Sequence, residues 1–145
     1  MTADPRTLGW LNRALAHELG AVQQYQAQSV LARLWGDQPL ADYFQREALE
    51  ELGHAERIME RLIVMGVAPQ ASELAPARLG RTLDQLLLAD RQMELDAVLL
   101  YQDALWHASR VRDGDVAALM QSLLDEEKAH LADLDHMITE CMNHG

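Results

Sequence analysis

The sequence predicts an all-α fold: a four-helix bundle made of two antiparallel helical hairpins joined by a long crossover. Strong helix formers, above all Ala, Leu, Glu, Gln and Arg, dominate four long stretches of the chain. Apolar residues recur in these stretches at spacings of three and four, as at Leu11, Leu15 and Leu19. β-Branched residues are few and strict alternation is almost absent, which argues against a sheet.

Turn-forming residues set the expected helix boundaries. The predicted helices cover residues 6–35, 39–65, 82–112 and 115–143. Gly36-Asp37 separates the first two helices, and Pro39 suits the first turn of the second. Gly66 is typical of the residue that follows a helix, and Thr82 is a candidate N-cap. Asp113-Gly114-Asp115 predicts the turn before the last helix.

The central connection, residues 66–81, is the one long irregular segment and contains Pro69, Pro76 and Gly80. It is long enough to run the length of the bundle, so we expect the second and third helices to be parallel. The other two connections are short and predict antiparallel hairpins. We expect a single domain over residues 1–145, because this length suits one hydrophobic core.

Charge and cysteine content exclude several function classes. The 145 residues include 12 Lys and Arg against 23 Asp and Glu, which gives a formal net charge of −11. This balance argues against nucleic acid or an anionic membrane as the main partner, and it suits attraction of cations. The single cysteine, Cys141, excludes an internal disulfide and any multi-thiolate metal site. With no evident signal peptide or membrane span, we expect a cytoplasmic protein.

The two predicted hairpins repeat each other at an offset of 76 residues. Residues 18–25 and 94–101 both read Glu-Leu-x-Ala-Val-x-x-Tyr. In the same register, Glu51-x-x-His54 corresponds to Glu127-x-x-His130. Two copies of one hairpin would pack about a pseudo-twofold axis, and equivalent residues from both halves would line whatever lies on that axis.

The repeated residues form a set of candidate metal ligands. Each Glu-x-x-His pair lies on one helix face, and a further Glu lies one helix earlier in each half. The six candidates are four carboxylates and two imidazoles: Glu18, Glu51, His54, Glu94, Glu127 and His130. Such donors suit iron, manganese or zinc, with two carboxylates bridging two ions and one imidazole on each ion. Four carboxylates buried together without cations would repel one another and destabilise the bundle.

The alternative interpretation is that these residues are ordinary surface pairs. A Glu three residues before a His is by itself typical of a solvated pair on a helix. The register shared with Glu18 and Glu94 favours the metal site, since an accidental repeat would not preserve all six candidates.

These motifs resemble those of the bacterioferritins, within the ferritin-like superfamily, over nearly the whole chain. The resemblance rests on Leu11-Asn12-x-x-Leu15-x-x-Glu18-Leu19-x-Ala21-x-x-Gln24-Tyr25, on Glu51-x-x-His54-Ala55 and on Asp125-Glu126-Glu127-x-x-His130. It implies a ferroxidase centre with two irons per subunit, bridged by Glu51 and Glu127, with Glu18 and Glu94 as terminal ligands and a histidine on each iron. The implied function is iron storage and detoxification: oxidation of Fe(II) by dioxygen or peroxide and storage of the Fe(III) mineral in a protein cage.

Tyr25 matches a family position close to the two irons. The resemblance implies that Tyr25 belongs to the catalytic set, where it would hydrogen-bond a ligand or donate an electron. The other interpretation is a purely structural aromatic residue of the core. Tyr101 is implicated only by the internal repeat.

The chain departs from the family pattern at two places. The usual haem-ligating methionine follows the first bridging Glu, where this chain has Leu52, so binding of haem or another porphyrin there is not expected. Met59 and Met65 are the alternative ligands, although packing is the commoner role of such residues. The usual fifth helix has no counterpart here, so a 12-subunit cage competes with a 24-subunit cage.

The resemblance implies further partners and leaves alternatives open. The cage would be a homo-oligomer or would include a haem-bearing homologous subunit, and without haem a ferredoxin reductant is not assured. The alternative function is a non-enzymatic cage subunit that binds metal or porphyrin without turnover. A rubrerythrin-like peroxidase is a third interpretation, but Cys141 alone cannot form the paired-cysteine module of that family.

Overall fold

The computed structural model describes residues 4–71 and 74–144, without the side chain of His144. Four α-helices occur in these ranges: α1 (Pro5–Leu34), α2 (Gln38–Val64), α3 (Leu83–Arg110) and α4 (Gly114–His144). The same ranges contain no strand, and none of their helices could span a membrane. Each helix begins and ends within two residues of its predicted boundaries. The chain divides into two units, residues 1–77 and 78–145, and each unit contains one helical hairpin.

Side-chain caps explain where the helices begin. At the start of α2, Asp37 Oδ1 accepts a 3.1 Å hydrogen bond from the Leu40 N–H. Thr82 Oγ1 accepts a 3.4 Å hydrogen bond from the Gln85 N–H at the start of α3, which confirms the predicted N-cap. The N–H groups of the first turn have no partner inside a helix, so these side chains satisfy donors that would otherwise need water.

The turns of the two hairpins share one backbone geometry at the 76-residue offset. Gly36 has a φ of 80° and Arg112 a φ of 59°, so both lie in the left-handed region. The N–H of the next residue, Asp37 or Asp113, donates to the carbonyl five residues earlier, over 3.0 Å and 2.9 Å respectively. This pattern closes a helix C-terminus and favours glycine at the left-handed residue, because glycine has no Cβ.

The turn between α3 and α4 lies earlier in the chain than the sequence predicted. The prediction placed it at Asp113-Gly114-Asp115, whereas the structure turns at residues 111–113 and begins α4 at Gly114. The reason is that Asp113 Oδ1 accepts a 3.1 Å hydrogen bond from the Val116 N–H and thereby caps α4. Gly114 is therefore the first residue of a helix, and the left-handed conformation of the turn falls on Arg112.

The first unit packs α1 against α2 through small side chains and a few large ones. Along α2, buried alanines recur every seven residues, at Ala41, Ala48 and Ala55. The larger buried side chains include Leu11, Leu15, Tyr25, Phe44, Ile58 and Leu62. The rings of Tyr25 and Phe44 stack with centroids 6.4 Å apart, and Ser29 Oγ donates a 2.7 Å hydrogen bond to the Ala41 carbonyl. Because helix separation depends on the side chains at the contact, the alanines keep the two helices close.

The second unit is built in the same way from α3 and α4. Its large buried side chains include Leu86, Leu87, Tyr101, Met120, Leu123 and Leu134. Ala97 and Ala104, seven residues apart on α3, are also buried. Arg91 Nε lies 2.5 Å from Asp135 Oδ1 across the hairpin, but both side chains are nearly half exposed, so this ion pair contributes little to stability. Apolar burial therefore carries most of the stability of this hairpin.

Candidate metal centre

The first half-site consists of Glu18, Glu51 and His54 in the first unit. Glu18 lies on the buried stripe of α1 one turn beyond Leu15, while Glu51 and His54 share the buried face of α2. Both carboxylates are fully buried and the imidazole is 4% exposed. His54 Nδ1 lies 3.6 Å from Glu18 Oε2 and 3.9 Å from Glu51 Oε1. One donor atom from each residue lies within 4.8 Å of the other two.

The second half-site consists of Glu94, Glu127 and His130 in the second unit. Glu94 lies on the buried face of α3, and Glu127 and His130 lie one turn apart on α4. Both carboxylates are buried, and the His130 side chain is 12% exposed. His130 Nδ1 lies 3.9 Å from both Glu94 Oε2 and Glu127 Oε1, and the three donors again lie within 4.8 Å of one another. The structure thus groups each set of three candidates within its own unit.

The donor set of each half-site suits a transition-metal ion. Two carboxylates and one imidazole are donors that iron, manganese and zinc accept. Donor atoms bound at about 2.1 Å from one ion stand roughly 3–4 Å from one another, as the separations of 3.6 Å and 3.9 Å do here. Burial of two carboxylates next to one another is costly without compensating positive charge. A divalent ion in each half-site would supply that charge.

The two candidate tyrosines are both core residues. Tyr25 is 1% exposed and packs on Phe44, so it has the role of a core aromatic residue that the sequence offered as one interpretation. Tyr101, its counterpart in the repeat, is fully buried. Each lies seven residues after a candidate carboxylate, Glu18 or Glu94, on the same helix face. A role for Tyr25 in the chemistry stays a prediction.

The residues considered for porphyrin binding lie along α2. The side chain of Leu52 is partly exposed and offers only carbon atoms, so this position does not fit an axial haem ligand. Met59 lies seven residues further along α2, about 10 Å along the helix axis, and Met65 caps its C-terminus. A thioether at Met59 is therefore displaced by about 10 Å from the position that Leu52 occupies.

The sequence-based prediction did not include three acidic residues near the half-sites. Glu47 and Glu50 lie on α2, about one turn before Glu51 and His54, and a carboxylate oxygen of each lies within 4.8 Å of the other. Asp90 is fully buried on α3, one turn before Glu94. The signal that could have revealed Asp90 is its place on the apolar stripe of α3.

The comparisons with known proteins agree with this architecture. The model of the ferritin-like domain family matches residues 9–142. A bacterioferritin of Rhodobacter capsulatus is 32% identical over 139 residues, which cover 96% of this chain and 86% of the relative. A bacterioferritin of Brucella melitensis is 32% identical over 131 residues, which cover 90% of this chain and 81% of the relative. The chain belongs to the bacterioferritin family.

A solved structure supports the same assignment. Bacterioferritin from Rhodobacter capsulatus superposes with a TM-score of 0.95 at 31% identity, over 100% of this chain and 91% of that one. That protein is described as having a metal-free dinuclear site and a haem iron in a crystallographic special position. The predicted fold class, a ferritin-like four-helix bundle, is thereby confirmed.

Proposed function

We propose that this bacterioferritin relative is an iron-storage and detoxification ferroxidase, with residues 1–145 forming one di-iron domain. The observation that carries the proposal is the occurrence, in each unit, of two buried carboxylates within reach of one imidazole Nδ1. The names of the relatives support the same assignment. Fe(II) is the substrate in this proposal, and two ions bind per subunit.

The two half-sites supply complementary parts of the proposed centre. Glu51 and Glu127 bridge the two irons in the proposal, and Glu18 and Glu94 are terminal ligands. His54 and His130 each supply one nitrogen donor to one iron. Together, four carboxylates balance the charge of two divalent ions, which makes the loaded site electrically neutral before oxidation.

The proposed reaction transfers two electrons from the substrate pair to a small oxidant. Two Fe(II) each lose one electron; dioxygen takes up both with two protons and leaves as hydrogen peroxide. If peroxide is the oxidant, it takes up the two electrons with two protons and leaves as two water molecules. Two bridging carboxylates would hold the two irons close together, so both electrons would be delivered to one oxidant molecule. Tyr25 is proposed to hydrogen-bond or donate an electron to this site.

The proposed setting is an oligomeric, cytoplasmic cage that stores the ferric product. We propose 12 or 24 copies per cage, alone or with a haem-bearing homologous subunit. The acidic surplus, a net charge of −11, supports attraction of Fe(II) from solution. The alternative proposal is that the protein binds metal or porphyrin without oxidising Fe(II), as a non-enzymatic subunit of such a cage.

Iron oxidation by single-ligand variants tests the proposed function. We expect the purified protein to bind two Fe(II) per chain and to oxidise them when dioxygen or peroxide is added. Glu18→Ala and His130→Ala should each slow the oxidation by about tenfold, because each removes one donor that serves a single ion. Glu56→Ala, at an exposed position of α2, is the matched control and should leave the rate unchanged.

The same experiment separates turnover from binding. Two bound irons that stay ferrous in the presence of both oxidants would show a binding subunit without ferroxidase activity. Unchanged oxidation in both ligand variants would show that the assigned residues do not form the centre.

We further propose that Leu52 prevents haem ligation at this position of α2. Leu52→Met introduces the missing thioether, so we expect this variant to gain a Soret band when titrated with haem. Leu49→Met, at an exposed position one turn earlier, is the control and should gain none. A Leu52→Met variant that gains no Soret band would contradict the proposal, whereas a Soret band in the unmodified protein that Met59→Leu abolishes would show ligation at the displaced thioether.

A further inference from the structure

Three aromatic side chains of the first unit form a continuous row of rings. The row contains the only phenylalanine of the chain and two of its three tyrosines. The rings of Tyr25 on α1 and Phe44 on α2 stack with centroids 6.4 Å apart and planes 26° apart. Tyr43, also on α2, has its ring centroid 5.4 Å from that of Phe44, with the planes tilted by 60°. Phe44 therefore joins the two tyrosines through direct ring contacts.

The row of rings runs from the core of the first unit to its surface. Tyr25 is 1% exposed and Phe44 is fully buried, whereas Tyr43 is partly exposed. Tyr25 follows the candidate ligand Glu18 by seven residues, which places it two helical turns, about 10 Å, further along the same face of α1. The row thus begins on the helix face that carries this ligand and ends at a phenol in contact with solvent.

The second hairpin has no aromatic side chains at two of these positions. At the 76-residue offset, Phe44 corresponds to Met120 and Tyr43 corresponds to Leu119. Met120 is fully buried and Leu119 is partly exposed, so their places in the hairpin match those of the two aromatic residues. The hairpin architecture therefore accommodates aliphatic side chains at both positions, and packing alone does not require two rings there.

We propose that Tyr43 is the residue at which electrons enter this row and pass to the first half-site when only one Fe(II) is bound. The inference rests on the proposed ferroxidase function. Rings in contact shorten the gap across which an electron must tunnel, and Phe44 fills the gap between the two phenols. Oxidation of a phenol also requires loss of its proton, and the partial exposure of Tyr43 lets that proton pass to water.

The electrons and protons of the proposed step balance. Hydrogen peroxide takes up two electrons and two protons and leaves as two water molecules. One bound Fe(II) supplies one electron, and Tyr43 supplies the other through the rings of Phe44 and Tyr25. Tyr43 releases its phenolic proton to water and becomes a tyrosyl radical. A second Fe(II), in solution, then reduces the radical, which takes up one proton and becomes the phenol again.

Electron paramagnetic resonance of rapidly frozen samples tests this proposal. The protein is loaded with a single Fe(II) per chain and mixed with hydrogen peroxide. We expect a tyrosyl radical signal in the unmodified protein. Tyr43→Phe keeps the ring and removes the phenol, and it should lose most of that signal. Trp106→Phe changes an exposed aromatic residue of the second unit and is the control that should retain the signal.

Two further measurements separate electron transfer from packing. Phe44→Met introduces the residue found in the other half, so it interrupts the row while both phenols remain, and it should also lose most of the signal. Thermal unfolding of the metal-free variants reports their folding, and Tyr43→Phe decides the outcome if Phe44→Met does not fold. After repeated additions of peroxide, mass spectrometry of the unmodified protein should find an oxidised side chain at Tyr43.

The outcomes distinguish this inference from the proposed function. An unmodified protein that oxidises no Fe(II) with either oxidant would contradict the ferroxidase function itself. Oxidation of Fe(II) with a radical signal that Tyr43→Phe leaves unchanged, or with no radical signal at all, would overturn the role of Tyr43 alone. A signal that persists in Tyr43→Phe and disappears in Tyr25→Phe would overturn it as well, because the radical would then reside on Tyr25.

Discussion

The two hairpins carry the same candidate ligands but differ around them. In the first half-site His54 Nδ1 lies 3.6 Å from Glu18 Oε2, and in the second His130 Nδ1 lies 3.9 Å from Glu94 Oε2. The imidazole of the first half is also less exposed than that of the second, at 5% against 12% of the side chain. The repeat is thus kept at the candidate ligands, while the exposure of the imidazole and the left-handed turn residue differ between the halves. The difference teaches that two equivalent ligand sets need not hold equivalent ions.

The largest expected effect comes from removing a proposed bridge from either half. Glu51→Gln and Glu127→Gln should each slow Fe(II) oxidation by about 100-fold or more, because a bridging carboxylate serves both ions. Glu18→Gln and Glu94→Gln should each slow the oxidation by only about tenfold, because a terminal ligand serves one ion. The measurement is the initial rate at which the absorbance of Fe(III) rises under saturating oxidant. Equal losses in all four variants would contradict the division into bridging and terminal ligands.

Metal binding should stabilise the protein through both halves. At a free Zn(II) concentration about 100 times the dissociation constant, each occupied site should add about 2.7 kcal/mol to the free energy of unfolding. Thermal unfolding with and without the ion measures this gain. Glu18→Ala should reduce it by about half, whereas Glu56→Ala should not. A gain that survives in Glu18→Ala combined with Glu94→Ala would place the stabilising ion outside the half-sites.

The smallest expected effect concerns the two turns. Arg112 has a left-handed backbone that costs an L-residue roughly 1 kcal/mol, and Gly36 takes the same conformation without that cost. Arg112→Gly should therefore raise the free energy of unfolding by up to about 1 kcal/mol, and Gly36→Ala should lower it by a similar amount. Chemical denaturation of the metal-free protein measures both. A loss of stability in Arg112→Gly would show that the arginine side chain contributes more than its backbone costs.

Much of the fold was predictable because local signals and periodicity agree. Thr82 has the character of an N-cap and acts as one, and Glu-x-x-His spacing puts each pair on one helix face. Arg112 was not predictable, since a left-handed arginine carries no local signal and Gly114, two residues later, was the more obvious turn residue. Asp90 was missed for a different reason. A single acidic residue within a helix is usually solvated, and only its position on the apolar stripe shows its burial.

The alanines that recur every seven residues on α2 have a consequence for how the first half-site meets its ion. An alanine side chain has no rotamers to lose on folding and none to change afterwards. Ala48 and Ala55 flank Glu51 and His54 on the buried face, so α2 packs at this level through methyl groups that cannot rearrange. His54 Nδ1 already lies 3.6 Å from Glu18 Oε2 and 3.9 Å from Glu51 Oε1, so these donors need little rearrangement on binding an ion. Capture of the first ion should then be limited by its delivery and dehydration and not by a rearrangement of the helices.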